Sequence, residues 1–165
     1  MKEVFHGSYT KVDKPDLSFS RKALDFGLGF YVTSMREQAV GWALRLARRR
    51  RPAVVNRYIF HDEMLADPGA RVKIFPSYDR EWLRFVAANR NGAVQELYDV
   101  VLGGIADDRV FNTLELFFAQ LIDEDEALER LKYEKPNRQI CICRQNLIDR
   151  VLVFESAEEI ENGSR

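Results

Sequence analysis

Apolar positions along the chain follow two periods, and the switches between them mark the elements. Val4 to Tyr9 is short and rich in aromatic and β-branched residues, which predicts a first strand. Residues 10–28 lose the pattern and carry Pro15, Asp16, Ser18, Ser20 and Gly27, the composition of a loop over a site. Gly29-Phe30-Tyr31-Val32-Thr33 predicts a second short strand. A helical period then takes over. Ala39, Trp42, Ala43 and Leu46 fall at i, i+3, i+4 and i+7, behind a capping box of Ser34 and Glu37. Val54 to Phe60 and Val72 to Phe75 predict strands, with a turn or short helix over His61 to Ala70. Trp82, Phe85 and Val86 mark a helix capped near Ser77 or Asp79, and Tyr98 to Gly104 a strand ending in a glycine turn. Asp107 or Asp108 caps a helix whose face is Leu114, Phe117, Phe118 and Leu121. Asp123 and Glu126 start another, through Leu128 and Leu131 to about Glu134. Strands over Arg138–Arg144 and Val151–Phe154 close the chain. Strands and helices mix without regular βαβ alternation, so the predicted class is α+β, as a single domain over residues 1–165.

Composition narrows the function classes. With 46% hydrophobic and 31% charged residues in 165, the chain can bury a real core, and disorder is excluded. No apolar run approaches the roughly 20 residues of a membrane span, and Met1 to His6 lacks the apolar stretch of a secretory signal. The expectation is a cytoplasmic protein with no membrane partner. A formal net charge of −1 gives no global argument for nucleic acid. Locally, Arg48 to Arg51 before Pro52 reads as a solvated helix C-terminus, with a basic patch for an acidic partner as the sharper alternative. Cys141 and Cys143, at i,i+2 in a strand, share a face but do not pair easily as a disulfide. The only histidines, His6 and His61, are far away in sequence, so reduced, packed thiols and no metal site are expected.

Two segments carry candidate chemistry. The first strand contains Phe5-His6-Gly7-Ser8, an imidazole beside a residue that lets a ligand approach the backbone. Asp25-Phe26-Gly27-Leu28-Gly29-Phe30-Tyr31-Val32-Thr33 puts two glycines before a strand bearing tyrosine. In this order near the N-terminus they resemble the ADP-ribosyltransferase superfamily, in its diphtheria-toxin and poly(ADP-ribose) polymerase branch. The likeness is closer still to an uncharacterised bacterial family of that superfamily. It spans residues 4–154 and rests on His6-Gly7-Ser8, Asp25 to Thr33, Gln38-Ala39, Trp42-Ala43, Ala106-Asp107-Asp108 and Gln139-Ile140.

The resemblance implies split antiparallel sheets with flanking helices, and NAD as the substrate. It implies that His6 bonds a ribose hydroxyl, that the Gly7 backbone holds the nicotinamide carboxamide, and that Tyr31 stacks on the nicotinamide ring. Trp42, eleven residues after Tyr31, matches the second stacking aromatic, although it also lies on the apolar helix face. Ser8, Gly29 and Phe30 complete the nicotinamide end, and Arg21, in a loop with Ser20 and Lys22, is placed for the diphosphate. The third-strand glutamate of the branch is matched by Gln139, which can orient a hydroxyl but supplies neither negative charge nor a general base. Transfer of one ADP-ribose to a protein or nucleic-acid acceptor is therefore expected, as in a bacterial toxin or effector, and chain growth is not. Members of toxin type often have a neutralising antitoxin protein encoded nearby. Asp107, Asp108 and Glu134 are alternative carboxylates, although caps and helix ends also explain them. A catalytically weak or inactive module that binds NAD, ADP-ribose or a partner protein is the competing expectation.

Overall fold

The structure is a computed structural model and describes residues 1–47, 51–93, 98–106, 108–134 and 136–161, without the side chains of Met64 and Asp108. Its strands are β1 (Lys2–Ser8), β2 (Phe30–Thr33), β3 (Ala53–Phe60), β4 (Val72–Ile74), β5 (Val100–Gly103), β6 (Gln139–Ile142) and β7 (Leu152–Ile160). Its helices are α1 (Arg36–Leu46), α2 (Arg80–Arg90), α3 (Asp108–Phe118), α4 (Glu124–Leu131) and α5 (Gln145–Val151). The seven strands form one sheet in the order β4-β5-β6-β2-β1-β3-β7. Only β4 and β5 run parallel; the other neighbours are antiparallel. The class is α+β.

Both sheet faces are covered, which is why the central strands read as apolar runs. On one face Val4, Phe30, Val32, Tyr58, Ile140 and Ile142 pack against Ile148 and Val151 of α5. The loop after β1 closes this side: Asn56 binds Val12 N at 2.7 Å and Thr10 O at 3.1 Å, and Gln145 binds Leu17 N and Pro15 O. The opposite face carries two separate clusters. Phe5, Ala53 and Val55 meet Ala39, Ala43 and Ala47 at α1. Val101 and Cys141 meet Trp82, Leu83, Val86, Leu114, Ala127 and Leu131 from α2, α3 and α4.

Aspartate caps start two of the helices as the sequence indicates: Asp79 accepts from Trp82 N and Asp123 from Glu126 N, both at 2.8 Å. Other expectations are corrected. Ser34 is not the cap of α1; Met35 occupies that position without a side-chain bond, and Thr33 Oγ1 accepts from Met35 N at 3.1 Å. The buried face of α1 is its alanines, while Trp42 is 36% exposed. α3 stops at Phe118 because Gln120 turns left-handed at φ 59°, so Leu121 is 71% exposed. α4 ends at Leu131 rather than near Glu134. Residues 145–151 form α5, and the final strand runs on to Ile160, well past Phe154, as one edge of the sheet. No helix among the described residues is long and apolar enough to cross a membrane. Of the Arg48 to Arg51 run, only Arg51 lies within the described residues, its guanidinium 4.4 Å from the Tyr9 ring centroid.

Candidate functional site: a seam at the centre of the sheet

β1 and β2 are paired at one position, Phe5 with Thr33. By contrast β1 is paired with β3 from Lys2–Phe60 to Ser8–Val54, and β2 with β6 from Phe30–Ile142 to Thr33–Gln139. The sheet is thus continuous but has a seam, and past Phe5 the two strands no longer form a ladder. His6 bridges that gap, with Nδ1 2.8 Å from the Tyr31 carbonyl oxygen. A carbonyl only accepts, so Nδ1 carries the proton and Nε2 presents a lone pair. Burial pushes the imidazole below its ordinary value and outweighs the Tyr31 bond, so the ring is neutral at pH 7.

Tyr31 is fixed from the other side. Its hydroxyl donates to Gly27 O at 2.6 Å and accepts from Phe26 N at 3.2 Å. The ring lies nearly parallel to Phe26, centroids 6.4 Å apart. Burial pushes the phenol's pKa up, so it stays protonated. Gly27 sits at φ 79°, a conformation that suits glycine. Ser20 Oγ donates to Gly29 O at 2.7 Å, and Asp25 accepts from Arg90 Nε at 2.7 Å and Ala106 N at 3.2 Å. The residue 20–29 loop is therefore held in one shape by its own polar side chains.

Between the two apolar clusters under α1 and α2 runs a buried polar strip. Thr33 is 4% exposed and its Oγ1 donates to Gln38 Oε1 at 2.5 Å, with Arg138 O at 3.1 Å as a second acceptor. Gln139, opposite Thr33 in the ladder, is 8% exposed. Its Oε1, and Nε2 of Gln38, are buried without a hydrogen-bond partner. An orphaned amide group costs about 1–3 kcal/mol, so an open donor and an open acceptor in one strip call for a ligand or water as the missing partner.

The seven-strand order puts His6, Tyr31 and Gln139 on three adjacent strands, β1, β2 and β6. Pairing places Thr33, Tyr31 and Gln139 on one face with Phe5 and Gly7. α1 lies directly on Gly7: a Cβ there would strike the Ala39 carbonyl and sit 2.9 Å from Trp42 Cβ. Trp42 thus stands over Gly7, with the Arg45 guanidinium 5.7 Å from its ring. His6 reaches the seam from the opposite face, where its ring lies 4.4 Å from that of Phe30.

Other sequence candidates lie elsewhere. Phe30 is a core ring, 8% exposed and edge-on to Tyr58, and points away from Tyr31 because neighbours in a strand alternate. Ser8 is buried on the His6 side of β1, by the same alternation. Gly29 is required because a Cβ would overlap Cys141 Sγ, so its part is packing. Arg21 is exposed and makes no ion pair among the described residues. Asp107 and the Asp108 side chain lie outside the described residues; Glu134 faces Arg109 at 3.9 Å. Sequence reasoning assigned no role to Thr33 or to Asp25. The period-two relation of Thr33 to Tyr31 was the available signal for the first.

Away from the seam, a cavity of about 230 Å³ is lined by Asp67, Asp99, Arg144, Leu147 and Arg150. Arg71, with Arg144, holds the Asp99 carboxyl down to about 2. No group of three or more His, Cys, Asp or Glu side chains among the described residues could hold a metal. No curated protein matches the sequence. Residues 2–154 match the family described as protein of unknown function (DUF3990), and the chain belongs to that family.

Proposed function

We propose that this protein is an NAD-dependent mono-ADP-ribosyltransferase, moving one ADP-ribose from NAD to a protein or nucleic-acid acceptor and releasing nicotinamide. The observation that carries the reading is the buried, unpartnered Gln139 Oε1, on the strand beside Tyr31 and one strand further from the neutral His6. In this reading His6 Nε2 accepts a hydrogen bond from a ribose hydroxyl. Gln139 Oε1 accepts from the 2′-hydroxyl, which satisfies the orphan. The Gly7 backbone, beyond the last β1–β2 pair, holds the carboxamide. Tyr31 stacks on the nicotinamide for about 0.5–1.5 kcal/mol beyond burial, and Trp42 above Gly7 covers its other face.

Breaking the nicotinamide–ribose bond develops positive charge on the sugar. An amide at 139 orients the ribose but adds no counter-charge and removes no proton, help worth roughly 10²–10⁴-fold elsewhere. The acceptor must then be nucleophilic already, and transfer stops at one unit. The reading makes the protein a bacterial toxin or effector working in the cytoplasm, with a neutralising antitoxin protein as its partner.

Labelled NAD with purified protein and bacterial lysate should give label transfer and nicotinamide release, both lost in Tyr31→Ala that retains the wild-type circular dichroism. Absence of transfer and release across lysates would sink the enzymatic claim. The amide at 139 favours a second reading, a module that binds NAD or ADP-ribose without turnover. Calorimetry separates the two, because binding without release supports the module.

A further inference from the structure

Beside the seam, the described residues include a pair of nucleophilic side chains at reaction range. Cys141 and Cys143 are free, and their sulfurs lie 3.7 Å apart. The i,i+2 spacing disfavours a bridge only while both residues are held flat in a strand. β6 ends at Ile142, so Cys143 lies one residue past it, its N donating to Asp99 O at 2.9 Å and its thiol reaching Cys141 O at 3.8 Å. The two cysteines differ in access. Cys141 is fully buried between Tyr31 and Val101, its ladder neighbours, and Cys143 is partly exposed.

We propose that Cys141 and Cys143 form a thiol oxidation site, in which a hydroperoxide converts the dithiol into an intrachain disulfide at the foot of the seam. Cys143 attacks first. Hydrogen bonding from Cys141 lowers its thiol below the ordinary value against the opposing burial and Asp99 charge, Arg144 adding to the lowering, while burial pushes the Cys141 thiol up. The Cys143 thiolate attacks the distal peroxide oxygen, the O–O bond breaks, and the alkoxide leaves with the proton given up by Cys143 as an alcohol, so that Cys143 becomes a sulfenic acid. The Cys141 sulfur then attacks Cys143, the S–O bond breaks, and its hydroxyl leaves with the Cys141 proton as water. Two thiols lose two electrons, and one hydroperoxide is reduced to an alcohol and water.

The sulfurs must close to about 2.05 Å, a movement that falls on Cys143 and Arg144, the two residues between β6 and α5. Cys141 Sγ fills the space left by Gly29 and lies beside the Tyr31 side chain, so the bond alters the floor under that ring.

Trypsin cleavage after Arg138 and Arg144 releases both cysteines in a single peptide, Gln139 to Arg144. After treatment of the native protein with tert-butyl hydroperoxide, that peptide should be lighter by two hydrogens and return to its dithiol mass with dithiothreitol. Cys141→Ser should instead leave a sulfenic acid on Cys143 that dimedone traps. Cys143→Ser should leave Cys141 unreactive to alkylation in the folded state. Dimers on a non-reducing gel, a peptide that passes directly to sulfinic acid, or alkylation of Cys141 as fast as Cys143 would each overturn the proposal. None of these readouts depends on NAD chemistry.

Discussion

Alanine at position 7 would put a methyl group inside the Ala39 carbonyl and 2.8 Å from Ala43 N, both backbone atoms of α1 that cannot swing aside. Overpacking of this kind costs about 1–3 kcal/mol, so Gly7→Ala should lower the urea midpoint with little change in slope. Gly41, on the outer side of the same helix, has nothing within 4 Å of its position, and Gly41→Ala should stabilise by about 0.5–1 kcal/mol. His6 makes a pH prediction with a definite sign. Unfolded, the ring titrates near 6.5; folded, burial depresses it. Between those values the unfolded chain binds a proton that the native ring refuses. Stability is therefore whole above pH 6.5 and falls on acidifying below it, by at most about 1.4 kcal/mol per unit for this one group. Unfolding free energies at about pH 7.5 and about pH 5.5 should differ less in His6→Asn than in the wild type; an equal difference would remove His6 from the explanation. His6, Gly7 and Tyr31 are legible as local motifs. That Phe30 turns from the site and Thr33 into it needed the pleat, which a motif does not record.

The loop of residues 20–29 shows how an irregular element can be fixed as firmly as a helix. Asp25, 12% exposed at its side chain, pairs with Arg90 at 19%, and the guanidinium also lies over the Phe111 and Phe118 rings. Asp25→Asn removes one charge of a mostly desolvated pair and should cost about 2 kcal/mol. Amide exchange should rise first at Gly27 and Gly29, ahead of global unfolding. The caps at Asp79 and Asp123 were readable because an acidic side chain directly precedes each helix. The start of α1 was not, because its hydroxyl comes from the last residue of β2 rather than from Ser34. α5 was hidden for a different reason. With seven residues it is too short to display a helical period, and Leu147, Ile148 and Val151 read equally well as strand.

Across the whole sheet, neighbour order was beyond the sequence. β6 enters between β5 and β2, and pairing over more than a hundred residues leaves no trace in local periodicity. The seam was implied by a family likeness, and in the structure it is a thinning of one continuous sheet rather than a complete break. Amides of β1 paired to β3 should exchange much more slowly than those of β1 that face β2 past Phe5; equal protection on both sides would mean the ladder continues there. The outer edge has its own consequence. β7 offers nine residues of backbone on one side to any passing chain, yet Glu155, Glu158 and Glu159 lie along it, the first two facing Arg57 and Arg36 respectively. A second copy docking antiparallel would bring carboxylates against carboxylates, a like-charge cost that guards the molecule against stacking edge to edge into aggregates. That guard is ionic, and added salt screens it.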